Sequence, residues 1–98
     1  MGKKIKIGLV KGRHNIPDVT EYIYQGEIDD PSNIQELWRI ADDYIGDMSM
    51  DIDEIELYVT GLTPCLIEVL NVCRDYETKV TLMHYNPKTK DYYPQVVK

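Results

Sequence analysis

Phenylalanine is absent from this 98-residue chain, tryptophan occurs once and cysteine twice, while tyrosine occurs eight times. Apolar aromatic surface is therefore supplied by rings that end in a hydroxyl, and such rings suit interfaces and walls on which bases stack as well as ordinary packing. No apolar run approaches the ~20 residues that a membrane helix needs. The start, Met-Gly-Lys-Lys-Ile-Lys-Ile, enters an alternating pattern with no signal-peptide core, and Gly2 lacks the downstream Ser/Thr of a myristoylation signal. These features predict a cytoplasmic protein with no membrane partner. Cys65 and Cys73 stand eight apart in a helical pattern, about 12 Å along a helix axis and too far for a disulfide. They read as buried thiols in a reducing compartment. With two histidines and no Cys-x-x-Cys, structural zinc is not expected, and Asp47, Asp51, Asp53 and Glu54 lack calcium-loop spacing. Neither a Walker Gly-Lys-Ser/Thr nor a Gly-x-Gly-x-x-Gly is present, which argues against ATP hydrolysis and dinucleotide redox chemistry. No metal and no cofactor is expected.

What is present is sharply divided. The formal charge of -6 hides a stretch, residues 27–56, with eleven acids and only Arg39 as a base, or -10. The remainder carries ten bases and six acids, or +4, and Lys3, Lys4, Lys6, Lys11 and Arg13 fall within the first fourteen residues without an acid. The global acidity excludes non-specific binding to long nucleic acid. It leaves open a small anionic ligand in one basic pocket. The length allows one domain, residues 1–98, whose thin core would gain from pairing with a second copy.

Ile5, Ile7 and Leu9 alternate with polar residues, so a strand runs to about Val10 and delivers Lys11, Gly12, Arg13 and His14 at its end. Val19–Tyr24 is β-branched and aromatic, a short strand and candidate edge. Asp30 with Pro31, or Ser32 with Gln35, caps a helix in which Ile34, Leu37, Trp38, Ala41, Tyr44 and Ile45 follow helical spacing, and Gly46 suits its stop. Ile55–Thr60 is a strand. Thr63-Pro64 then has the grammar of a capped helix start, and the following segment, apolar on nearly every side, reads as a central helix. Lys79–Tyr85 and Tyr92–Val97 form a hairpin around Asn86–Asp91, with Pro94 marking the last strand as an edge. The expected architecture is α/β: a small Rossmann-like three-layer sandwich with a mainly parallel sheet, two helices and a C-terminal β-hairpin.

Ligands of open parallel sheets bind beyond the carboxyl ends of the strands. There the sequence places Lys11, Arg13 and His14, then Thr60, Gly61, Leu62 and Thr63, then His84 and Tyr85. Lys11 and Arg13 suit phosphate oxygens, and a solvated basic loop is the plainer alternative. The Thr60–Pro64 turn brings a glycine and a helix N-terminus to one point, which favours a phosphate; an ordinary strand–turn–helix junction with Thr63 as cap is the alternative. His14 and His84 are the candidate proton carriers, although His84 shares its strand face with Val80 and Leu82 and equally suits a packed ring.

Leu57-Tyr58-Val59-Thr60-Gly61-Leu62-Thr63-Pro64, an apolar helix, and then Val80-Thr81-Leu82-Met83-His84-Tyr85 resemble the small Rossmann-like proteins of phages and type III CRISPR loci. The pattern is similar in outline to CARF sensor domains and stand-alone ring nucleases, over residues 55–97 mainly, with Gly8–His14 as a looser match. The resemblance implies a cytoplasmic homodimer that binds a cyclic oligonucleotide or related nucleotide signal, with Thr60, Gly61 and Thr63 at the phosphates, and sequesters it in a phage–host immunity setting. Two alternatives stand beside sequestration. One is a metal-independent ring nuclease cleaving cyclic oligoadenylate; the other is an acidic inhibitor whose 27–56 face imitates nucleic acid. The longer Gly-rich loop of many CARF domains is missing here.

Overall fold

The computed structural model describes residues 3–12, 16, 19–26, 28, 30–48, 51–60 and 62–97. Seven elements follow in the order β1 (Lys4–Val10), β2 (Tyr22–Tyr24), α1 (Ile34–Met48), β3 (Glu54–Tyr58), α2 (Thr63–Asp75), β4 (Lys79–Asn86) and β5 (Asp91–Val96). The strands join in one sheet of order β2-β1-β3-β4-β5. The first four are parallel, with Gly8 opposite both Tyr22 and Tyr58, and β5 returns antiparallel to β4. The element order and the mixed sheet agree with the sequence pattern; β2 is shorter than the Val19–Tyr24 run.

The layering departs from the expected three-layer sandwich. From β2 to β3 and from β3 to β4 the chain moves across the sheet in one direction. Right-handed crossovers therefore place α1 and α2 on the same face, and the two helices pack directly against each other. Ile7 and Leu9 of β1, Ile55 and Leu57 of β3, and Val80 and Leu82 of β4 meet Leu37, Ala41 and Ile45 of α1 and Val69 and Val72 of α2 there. The step from β1 to β2 moves the opposite way, so its connection crosses the other face. Ile16 and Val19 from that connection pack on Tyr22 and Tyr58, with Met83 and Tyr92 at the margin. Ile16 and Val19 are the described residues of this strap over the second face, where a three-layer sandwich would put a helical layer.

Local signals were overridden at several points. Neither Asp30 nor Ser32 caps α1. Asp30 Oδ1 instead accepts from Ser32 N at 3.0 Å in a turn, and Asn33 Oδ1 accepts from Glu36 N at 3.3 Å as the true cap. Gly46 does not stop the helix, which continues to Met48. A Cβ there would lie 2.7 Å from the Tyr76 hydroxyl, so glycine permits the close crossing of α1 and the end of α2. The Tyr76 hydroxyl donates to Asp42 at 3.1 Å across that crossing. Ile34 and Trp38 follow the helical spacing yet lie exposed, Trp38 by 39%. Nor is α2 central, because Ile67 faces solvent.

The Tyr24 hydroxyl donates to the Leu37 carbonyl at 2.8 Å, pinning α1 to the short edge strand. Burial pushes that phenol above its ordinary range, with Cys65 and Glu68 adding to the effect. Both cysteines are buried, and burial pushes the Cys73 thiol up to about 12. No helix among the described residues is long and apolar enough to cross a membrane.

Candidate functional site

The sheet changes direction between β1 and β3. β1 leaves toward the strap face and β3 toward the helices, which makes the crevice between their carboxyl ends the topological switch point, the usual ligand position in open α/β sheets. Backbone pairing of β1 with β3 ends at Gly8 and Tyr58. Beyond it, β3 leans to β4 through Val59 N on Met83 O at 3.0 Å. A side chain then bridges the gap. Thr60 Oγ1 accepts from Val10 N at 3.2 Å and donates to Val10 O at 2.9 Å.

That bridge corrects one assignment. Thr60 is only 1% exposed and its hydroxyl is already shared with both Val10 backbone groups, so it fixes the crevice and is not a phosphate donor. Its neighbours are better placed. Lys11 follows β1 at once, exposed, its backbone N donating to Tyr24 O at 2.9 Å. Leu62, half-buried against the main core, is the N-cap of α2, in extended conformation with no side-chain cap. Thr63, expected to cap, is instead the first helical residue and is exposed. Pro64 lacks an N–H, and no acid stands in the first turn. α2 thus opens with no side-chain cap and no acid, and its positive dipole end lies at the carboxyl end of β3. Arg13, His14 and Gly61 lie outside the described residues.

His84 and Tyr85 separate by strand alternation. His84 takes the helix-side face, where its Nε2 lies 2.8 Å from Gln95 Oε1 and its ring 5.3 Å from that of Tyr93. It is occupied there, away from the strap face. Tyr85 takes the strap face, 42% exposed, two residues beyond Met83, which pairs with Tyr58. Its ring centroid is 5.4 Å from Tyr92, itself edge-on to Tyr58 at 5.0 Å.

Two further cations reach this end of the sheet and escaped the sequence reading. Lys88 and Lys90 lie exposed in the β4–β5 turn, which opens just past Asn86 at the carboxyl end of β4. Their sign was visible in Asn-Pro-Lys-Thr-Lys-Asp; that the turn shares an end with Lys11 follows only from the direction of β4. Among the described residues, no carboxylate lies within ion-pair distance of Lys11, Lys88 or Lys90.

The opposite end is different in character. A cavity of about 530 Å³ lies at the amino ends of the strands, lined by Lys3, Lys4 and Lys79 and by Asp53, Glu54 and Glu77, among others. Its charges balance, and Lys4 is paired with Glu56 at 3.2 Å. On α1, Arg39 bonds both Glu36 and Asp43, which leaves the helix's outer face net acidic. Among the described residues, no group of three His, Cys, Asp or Glu is arranged to hold a metal ion.

Fold and crevice together define a class, a one-sheet α/β protein with an anion-compatible switch point. Comparison with protein-family models, with curated proteins and with solved structures found no match to the chain.

Proposed function

We propose that the protein binds a cyclic oligonucleotide or a related nucleotide signal at the carboxyl-end crevice, as a homo-oligomer that sequesters the ligand in a phage–host immunity setting. The observation that carries the reading is the switch point itself, where exposed Lys11 and the uncapped, acid-free N-terminus of α2 flank the Val10–Thr60 bridge. Those groups hold phosphate oxygens by charge and by backbone N–H. Arg13 and His14 follow Lys11 in sequence and belong to the same proposed rim, as does Gly61 before α2. Exposed Ile34, Trp38 and Ile67 give the helical layer an apolar surface on which a second copy can pack. Binding without turnover is the favoured form, because His84 is committed to Gln95.

Calorimetry and chromatography with cyclic di-, tri- and tetranucleotides test the reading. Tight binding with intact ligand recovered is the expected result. Lys11→Ala is expected to weaken it about tenfold, the loss of one charge-assisted contact, while Arg39→Ala leaves it unchanged. Equal effects would place the ligand elsewhere. Linear products would convert the reading to a metal-independent phosphodiesterase. No heat with any nucleotide would overturn both and leave the acidic α1 face as a nucleic-acid mimic.

A further inference from the structure

On the strap face, Gly8, Tyr58 and Met83 stand in one lateral row, and Tyr85 follows Met83 two residues on along β4. The strap covers Tyr22 and Tyr58, which are 9% and 8% exposed, and Tyr92 is half-buried beside them. Tyr85 remains open. Its ring meets Tyr92 at 60°, and Tyr92 meets Tyr58 at 75°, so each ring is propped by the next. The phenol of Tyr92 is raised by burial and then by its neighbours Tyr85, Tyr22 and Tyr58, in keeping with four tyrosines converging. A rigid, amphipathic ring that needs little ordering on contact is a natural stacking surface for a flat heterocycle. Cations stand at the same end of the sheet, Lys11 past β1 and Lys88 and Lys90 in the turn one residue past Tyr85, with Asp91 the acid of that turn. A flat group against the ring with anionic groups beside it is the chemistry of a nucleoside phosphate.

We infer that Tyr85, braced by Tyr92, is the stacking wall for a nucleobase of the bound ligand, with Lys88 and Lys90 holding a second phosphate beyond it. This inference rests on the proposed nucleotide binding and adds to it the element that recognises the base. It assigns the protein a preference for base-bearing ligands over bare sugar phosphates. Stacking tolerates any base, so the wall supplies affinity and leaves the choice among bases to other groups.

The test is calorimetry on the full chain with the cyclic nucleotide panel and with ribose 5-phosphate. Wild type is expected to favour a nucleotide over ribose 5-phosphate by tenfold or more. Tyr85→Leu should lose roughly 5- to 100-fold for the nucleotide, the range of one stacked base. It should leave ribose 5-phosphate unchanged, and Tyr85→Phe should bind as wild type. Lys88→Ala with Lys90→Asn, the latter chosen because position 90 has φ 60, should lower affinity several-fold and flatten its salt dependence. These exposed turn variants keep the test independent of any folding defect in Tyr85→Leu. Unchanged nucleotide affinity in Tyr85→Leu would overturn the wall, as would a Tyr85→Phe loss equal to that of Tyr85→Leu, or equal affinity of wild type for the two ligand types. If wild type binds no member of the panel, the functional reading itself fails and takes the wall with it.

Discussion

Replacing Thr60 with valine changes almost nothing in shape and removes one hydroxyl. That hydroxyl accepts from Val10 N at 3.2 Å and donates to Val10 O at 2.9 Å in a position 1% exposed. Water cannot readily take its place, so two buried backbone groups lose their bridge. Leaving one buried polar group unsatisfied costs about 1–3 kcal/mol. Against this, a buried methyl in place of a hydroxyl returns about 0.8 kcal/mol. The expected net loss for Thr60→Val is about 3 kcal/mol. In a domain of this size each kcal/mol moves Tm by about 4–8 °C, so the melting midpoint should fall by roughly 12–24 °C. Thr60→Ser keeps both bonds and gives up one methyl, and should cost only about 1 kcal/mol. Urea unfolding followed by circular dichroism reads both variants on one scale. A Thr60→Val protein within about 0.5 kcal/mol of wild type, or a serine variant as unstable as the valine one, would refute the bridge.

Three further outcomes follow from particular contacts. Gly8→Ala would set a Cβ 2.2 Å from two ring carbons of Tyr22, which lies under the strap, so the ring must leave its place; a loss of about 1–3 kcal/mol is expected, and an unchanged urea midpoint would contradict the contact. Burial, then the charge of Glu21 and a hydrogen bond to it, pushes the Tyr44 phenol up to about 12 from 10.0. Its neutral form therefore supports the fold fully below pH 10, and that support is lost as pH rises from 10 toward 12; absorbance at about 295 nm should show this phenol ionising later than the exposed ones. Cys73, buried and raised to about 12, should resist iodoacetamide at pH 8 in the folded protein and react once urea unfolds it, as mass spectrometry would show.

Much of the framework is legible in the residues. The alternation of Ile5, Ile7 and Leu9, and the Leu37, Ala41, Ile45 stripe, each reflect a local period that the fold keeps. What the residues do not carry is relative placement. The face on which a helix lies depends on the direction of travel across the sheet, which no local pattern records; the sequence pattern suits a three-layer sandwich, and the two helices share one face. Gly46 has the local signature of a helix stop, yet its neighbour in space is Tyr76, thirty residues on. Thr60 at a strand end beside Gly61 suits a phosphate in the sequence; that it reaches Val10, fifty residues away, depends on β1 and β3 parting just there. A charged turn such as that of Lys88 and Lys90 gives no hint in sequence of which end of the sheet it joins.

Both borders of the sheet resist extension. β2 offers only three residues. One residue past β5, Val97 N donates to Val80 O, so by antiparallel alternation Gln95 and Tyr93 turn their N–H groups inward, and position 94, which points outward, is proline. The ladder to β4 loses nothing, while the outer rim lacks a donor at its middle. A protein that works by sequestration acts mole for mole and has to accumulate to the level of what it captures. Under the proposed function, a short edge strand on one border and a proline on the other let such a chain be made in quantity without one sheet templating the next.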